Sequence, residues 1–313
     1  MNKNILVTGG TGFIGGHLVK RLLDDGYHVI VPYITFEKDS FFVQSNLKNR
    51  VTLEKVDIRN KEKVFQLIQT YKPEYIFHLA AQTLVTEGYK DPLTTLETNI
   101  MGTAYLLEAM RVIGRVKGII VASTDKAYGK THEAYTEEAP LKGDHPYDVS
   151  KSSADLITQT YYKTYNTPVI VTRFGNVYGE GDLHLDRIIP GICEAIIKKK
   201  TLEIRSDGTY VRDYLYIKDV VNGYIFLLHH FNDLKGEAFN FSSTDTYSVL
   251  QLIEKAEKIL DKKISYKILN IAKNEIPYQH LDDTKIKKMG WEPKHTLENC
   301  LENTFQWYKK HIF

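Results

Sequence analysis

Apolar runs of strand length alternate with helical patterns through the first 175 positions. Ile5-Leu6-Val7 reads as a buried strand, and the apolar spacing from Phe13 to Leu23 is that of an amphipathic helix. Tyr27 to Val31 forms a second strand and Val51 to Val56 a third, followed by a helix over about Lys61 to Gln69 and a strand over Tyr75 to Leu79. A long helix is predicted from about Leu93 to Val112 and a strand from Gly118 to Ala122. A helix from about Tyr147 to Tyr165 then leads into Val169-Ile170-Val171-Thr172. Strands separated by helices in this way predict a parallel sheet covered on both faces, with ligands beyond the carboxyl ends of its strands.

After Gly175 the pattern loosens. Helical segments near Leu185 to Lys198, Ile217 to His229 and Val249 to Leu260 are separated by short extended pieces such as Leu202 to Ile204. This part predicts a smaller lobe, with the helix near 217–229 packing back on the first. No glycine- or serine-rich linker divides the two, so they should share a cleft.

At 313 residues, 42% apolar and 26% charged, the chain has ordinary globular composition and enough length for a sizeable core. Its net charge of +2 calls for neither nucleic acid nor an anionic membrane as partner. Cys193 and Cys300 form no disulfide framework and no metal site, which fits a reducing cytoplasm. No apolar run approaches the ~20 residues of a membrane span, and the first strand begins too close to Met1 for a signal peptide to precede it. A soluble cytoplasmic protein is expected.

Thr8-Gly9-Gly10-Thr11-Gly12-Phe13-Ile14-Gly15 joins the first strand to the first helix, with Gly9, Gly12 and Gly15 at three-residue spacing. Such glycines permit a tight turn, let the backbone approach a pyrophosphate and let the helix pack close to the strand. The helix N-terminus then offers free N–H groups and partial positive charge. The predicted fold is therefore a Rossmann-type doubly wound α/β sheet over residues 1–175, the dinucleotide-binding domain, with a mixed α/β substrate lobe over 176–313. Downstream, Asp57 could accept from an adenine amino group, or stand merely as a surface carboxylate at a strand end. The acid that usually grips the ribose at the end of the second strand is missing from Val29-Ile30-Val31-Pro32-Tyr33, and Lys38 lies nearby. NAD and NADP both stay open on these residues.

Tyr147-Asp148-Val149-Ser150-Lys151 places a phenol and an ammonium on one face of a helix. A free tyrosine, with a pKa of about 10, is a poor base at neutral pH. A nearby ammonium and a positive nicotinamide ring would both favour its phenolate.

Taken together, TGGTGFIGGHLV (8–19), HLAAQTLV (78–85), TNIMGT (98–103), STDKAYG (123–129), PYDVSK (146–151), RFGNVYG (173–179) and YVRDYLYIKDV (210–220) resemble the extended short-chain dehydrogenase/reductase superfamily, in the superfamily's order. Most of its members act on nucleotide-activated sugars. The resemblance implies a dinucleotide, NAD above all, held by Gly9, Thr11, Gly12, Phe13, Ile14, Gly15, Asp57, Ile58, Leu79, Ala80, Ala81, Asn99, Tyr147 and Lys151. It implies a catalytic set in which Thr124 bonds the sugar 4-hydroxyl, Tyr147 takes its proton and Lys151 binds the nicotinamide ribose.

Ser123-Thr124-Asp125-Lys126-Ala127-Tyr128-Gly129 narrows the reading. Enzymes of this kind can all oxidise carbon 4. A 4-epimerase then needs no further acid. A 4,6-dehydratase must expel hydroxide from carbon 6, which needs a proton donor there and a base for carbon 5. Dehydratases of the family carry an acid directly after the threonine, as Asp125 stands here. Many continue with glutamate as the base, whereas this chain has Lys126, which either acts as that base or orients substrate. Threonine-aspartate-lysine resembles the CDP-glucose branch of the nucleotide-sugar 4,6-dehydratases. Read as extended chain, Asp125 and Lys126 point to opposite faces and are poorly placed to pair.

By the same resemblance Arg212 would hold the diphosphate, Asn176 and Arg187 would add contacts, and Gln82, Thr83 and Thr86 would line the sugar pocket. His78 is expected to pack in the sheet. A 4-epimerase is the alternative activity, and a non-catalytic dinucleotide or sugar-nucleotide binder the alternative class. A homodimer is expected through the helices near 93–112 and from Tyr147 onward.

Overall fold

A computed structural model describes residues 4–131, 133–271 and 276–313. Seven parallel strands form the central sheet in the order Ala238–Phe241, Val169–Phe174, Gly118–Ala122, Tyr75–His78, Asn4–Thr8, His28–Tyr33 and Thr52–Lys55. Successive side chains alternate between the faces. Ile5 and Val7 join the core beneath Phe13–Asp24 and Ile217–His229, while Leu6 joins a second core beneath Lys61–Tyr71 and Gly102–Ile113. Both faces are dry, as the unbroken apolar runs require. Among the described residues, no helix is long and apolar enough to cross a membrane.

Two features depart from the sequence pattern. The seventh strand, Ala238–Phe241, comes from beyond residue 175 and pairs with Val169–Phe174, so the sheet is closed by the part of the chain assigned to the second lobe. The helix Ile217–His229 that precedes it lies against Phe13–Asp24, where Arg21 donates to Asn222 at 3.0 Å, and sets Tyr224 edge-on to Phe77. The long helix expected from Leu93 is instead Pro92–Leu96, a π-helical turn Glu97–Met101, and Gly102–Ile113. That turn carries Asn99 inward, where its amide bonds the N–H and C=O of Gln82 and the hydroxyl of Ser150.

The remaining strands make a small mixed sheet around Val211–Tyr216. Asn176–Tyr178 and Tyr278–Gln279 run parallel to it and Thr246–Ser248 antiparallel. Leu202–Ile204 pairs separately with Tyr266–Ile268.

Candidate active site

One cleft of about 1000 Å³ runs across the carboxyl ends of the central strands into the second sheet. Its floor is the turn after Asn4–Thr8. Gly9 has φ +70°, and a Cβ there would meet the Ala80 nitrogen at 2.6 Å, so the turn can press against the neighbouring strand end only as glycine. A Cβ at Gly15 would run into the Gly9 carbonyl. The helix Phe13–Asp24 opens on Gly12 with no side-chain cap, which leaves its first N–H groups facing the cleft without an intrahelical partner. A bare helix start over a glycine cradle suits a pyrophosphate.

Gly9, Thr11, Gly12, Phe13, Ile14, Gly15, Ile58, Leu79, Ala80, Ala81, Gln82, Thr83, Thr86, Thr124, Lys126, Tyr147, Lys151, Asn176, Arg187 and Arg212 all line the cleft. Asp57, Asn99 and Asp125 do not; the Asp125 carboxyl is bonded to Thr124, Lys126 and Gln279, which do line it. Both Asp57 oxygens accept from Arg59, which also holds that carboxyl below its usual range, so Asp57 is engaged in a local ion pair. Asn99 is buried and ties the end of one strand to the helix bearing Tyr147. His78 is buried between Thr8 and Thr103, and burial lowers its pKa to about 3.

At the end of Gly118–Ala122 the reactive groups come together. Tyr147 and Lys151 stand one turn apart on Pro146–Tyr165. Lys151 Nζ donates to the Ala122 carbonyl at 2.6 Å, and burial lowers its pKa to about 8, with Asp155 opposing. The Thr124 hydroxyl lies beside the Tyr147 phenol and donates to Asp125 Oδ1 at 2.9 Å. Burial raises the phenol well above its ordinary value, and the carboxylates of Asp125 and then Asp148 raise it further. The direction is opposite to the effect expected of a nearby ammonium and a bound nicotinamide ring together. The fold points the Lys151 ammonium at a backbone carbonyl, and the two carboxylates act on the phenol.

Asp125 is 2% exposed. Asp125–Tyr128 is a turn of 3₁₀ helix rather than extended chain, so Asp125 and Lys126 do pair, with Nζ 3.5 Å from Oδ1. Gln279, which the sequence did not single out, donates to Asp125 Oδ2 at 3.1 Å from the second sheet. Tyr128 anchors the turn from behind. Its hydroxyl accepts from Arg173 at 2.6 Å and donates to Asn240 at 2.8 Å, and its ring stacks on Tyr135.

Further along the cleft, Arg187 pairs with the buried Asp182 at 3.0 Å. Arg212 donates to the Val211 carbonyl and lies over the Tyr210 ring. Glu37, four residues past the second strand, also lines the cleft, whereas Lys38 does not. The sequence pattern pointed to Lys38 instead, because Glu37 lies past the strand end where the ribose acid usually stands.

The family described as GDP-mannose 4,6 dehydratase matches residues 6–304. A trifunctional UDP-glucose 4,6-dehydratase/UDP-4-keto-6-deoxy-D-glucose 3,5-epimerase/UDP-4-keto-L-rhamnose-reductase of Arabidopsis thaliana is 34% identical over 327 residues, covering 98% of this chain and 47% of its own. The chain thus spans about half the length of such curated relatives. The CDP-glucose 4,6-dehydratase of Salmonella typhimurium is 30% identical over 334 residues, covering 99% of this chain and 91% of its own. Among solved structures, UDP-glucuronic acid 4-epimerase from Bacillus cereus, in complex with UDP-glucuronic acid and NAD, superposes with a TM-score of 0.90 at 29% identity, covering 98% of this chain and 99% of that one.

Proposed function

The chain belongs to the GDP-mannose 4,6 dehydratase family, within the extended short-chain dehydrogenase/reductase superfamily, and from that premise we propose that it is an NAD-dependent nucleotide-sugar 4,6-dehydratase acting on a CDP-glucose-like substrate. The observation that carries this reading is the buried carboxyl of Asp125, which accepts from the Thr124 hydroxyl and lies close enough to Tyr147 to act on its phenol. A 4-epimerase has no use for an acid at that place.

The glycine turn and the uncapped helix start at Gly12 would hold NAD, which would supply a hydride acceptor for carbon 4 and the hydride for carbon 6. Glu37 would accept from a ribose hydroxyl and repel a 2′-phosphate, which supports NAD over NADP. Thr124 holds the 4-hydroxyl, and Tyr147 takes its proton as the ketone forms. The ketone acidifies the proton on carbon 5, which Lys126 removes. The carbon 6–oxygen bond breaks with its electron pair on oxygen, and Asp125 protonates the departing hydroxide to water. Carbon 5 regains a proton from Lys126 as carbon 6 is reduced.

This sequence needs a protonated acid beside a neutral amine. The ion pair Asp125–Lys126 carries the same number of protons as that reactive form, so one transfer along the 3.5 Å contact interconverts them without exchange with solvent. Releasing a proton to carbon 6 and gathering one from carbon 5 puts the pair in the charged form; once Lys126 has returned its proton to carbon 5, the proton that Tyr147 took passes by way of the Thr124 hydroxyl to Asp125 and restores the starting count. The Asp125 carboxylate disfavours ionisation of the Tyr147 phenol.

The test is incubation with CDP-, UDP-, GDP- and dTDP-hexoses, mass spectrometry of the products and identification of the released cofactor. A 4-keto-6-deoxy product lighter by one water is expected with NAD. A product of unchanged mass favours the 4-epimerase reading, which the similarity to UDP-glucuronic acid 4-epimerase supports. Silence across the panel favours a binding module. The variant Asp125→Asn should still oxidise carbon 4 but lose water about a hundredfold or more slowly. An undiminished rate of dehydration removes Asp125 from the role of acid.

A further inference from the structure

Two polar side chains beside Tyr147 take no part in those steps. His145 immediately precedes the helix Pro146–Tyr165, and Asp148 lies in its first turn. Both line the cleft. His145 Nε2 stands 3.0 Å from Asp148 Oδ2. Asp148 is 1% exposed, yet its second oxygen, Oδ1, has no hydrogen-bond partner among the described residues, and neither has His145 Nδ1. The carboxylate is therefore no helix cap. An acidic oxygen withdrawn from water without a donor is costly, so a fold that retains one at a cleft wall has its donor arriving with a ligand.

That donor is a hydroxyl. A carboxylate repels the diphosphate and accepts only from O–H or N–H groups. Asp148 follows Tyr147 in the first turn of the same helix, and both line the same cleft. Its target is therefore close to the hydroxyl that Tyr147 deprotonates. On a hexose, the neighbours of the 4-hydroxyl are the 3-hydroxyl and the carbon 6 hydroxymethyl, and the second of these is matched to Asp125. We propose that Asp148, oriented by His145, is a specificity-determining acceptor for the 3-hydroxyl of the sugar. This rests on the nucleotide-sugar reading above.

The test is calorimetric binding of UDP-glucose and CDP-glucose, and of their 2-deoxy and 3-deoxy analogues, to the NAD-loaded protein, alongside turnover of the parent sugars. The 3-deoxy analogue of whichever parent binds should bind at least about tenfold more weakly than that parent, because it leaves the carboxylate bare, while the 2-deoxy analogue should not. Asp148→Ala should shrink the 3-deoxy penalty to within about threefold, and Asp148→Asn, which keeps the volume, should reduce it partway. Equal binding of parent and 3-deoxy sugar by the unaltered protein overturns the subsite even if the variants do not fold. So does a penalty that survives Asp148→Ala. If the parent sugars bind and are dehydrated while the 3-deoxy penalty is absent, only the subsite falls. If no sugar nucleotide binds at all, the nucleotide-sugar reading falls and the subsite with it.

Discussion

Gln279 reaches Asp125 from 154 positions away, with both side chains almost wholly buried. Its amide can donate to a carboxylate or, after a half-turn, accept from a carboxylic acid, so it can serve Asp125 in either protonation state. Leucine at this position fills similar space but offers neither function. Gln279→Leu should lower kcat for water loss about tenfold while KM for the sugar nucleotide changes little. A matching loss in Gln279→Glu, which sets a second carboxyl against Asp125, would support positioning, and steady-state kinetics on both variants checks it. Undiminished kcat in the leucine variant would reduce Gln279 to packing. Thr124, Tyr147 and Lys151 were legible because their chemistry is written in local spacing: a strand end, then a phenol and an amine one helical turn apart. Gln279 was not, because the strand Tyr278–Gln279 has two residues and no periodicity, and only its pairing with Val211–Tyr216 sets the amide over Asp125. Asp148 lay in plain view inside PYDVSK, but its bare Oδ1 exists only in three dimensions.

Among the elements, the turn Asp125–Tyr128 has little hydrogen bonding of its own and is held by what lies behind it. Arg173, 1% exposed at the end of Val169–Phe174, donates twice to Asp155 at 2.8 and 3.0 Å, and also to the Tyr128 hydroxyl and the Glu137 carbonyl. Removing one partner of a buried ion pair leaves the other charge uncompensated, which costs about 3–5 kcal/mol, whereas replacing both with apolar groups of similar volume is often near neutral. Arg173→Met should therefore lower stability by about 3–5 kcal/mol in urea unfolding, and Arg173→Met with Asp155→Leu should recover most of it. Failure of the double variant to recover would place the cost in the Tyr128 anchor instead. The strands and flanking helices of the sheet were legible because apolar runs and amphipathic periods are local signals. The π-helical turn Glu97–Met101 was not, since a single inserted residue scarcely disturbs a helical pattern. Its cause is tertiary: Asn99 is drawn to Gln82 and Ser150. Ala238–Phe241 was missed for a related reason, because four residues after a helix carry too little pattern to reveal a strand.

For the whole molecule, six of the twelve large apolar side chains left in solvent among the described residues gather on two neighbouring stretches of helix. Leu93, Met101 and Val112 are 65%, 42% and 58% exposed, and Val149, Leu156 and Tyr165 are 38%, 51% and 52% exposed. All six belong to the run from Pro92 to Ile113 and to the helix Pro146–Tyr165, which pack side by side and are joined by the Tyr161–Glu108 hydrogen bond. Val149 and Leu156 are seven residues apart, and Met101 and Val112 eleven, spacings that return to one helix face. Contiguous apolar surface of this kind is uncommon on a monomer and marks an interface. A self-complementary patch on two adjacent helices suits a two-fold axis, on which each copy adds two helices to a four-helix seam. The protein should therefore sediment at about twice its 36.1 kDa chain mass at micromolar concentration. A charge on the patch must be desolvated twice in such a seam, once from each copy. Leu156→Asp with Val112→Asp should thus yield a monomer by sedimentation. The altered side chains are solvent-exposed, whereas Tyr147 and Lys151 face the cleft on the other side of the helix. Cofactor binding should consequently persist in that monomer, which separates loss of the seam from loss of the fold. Sedimentation of the unaltered protein as a monomer across the micromolar range would overturn the two-fold seam.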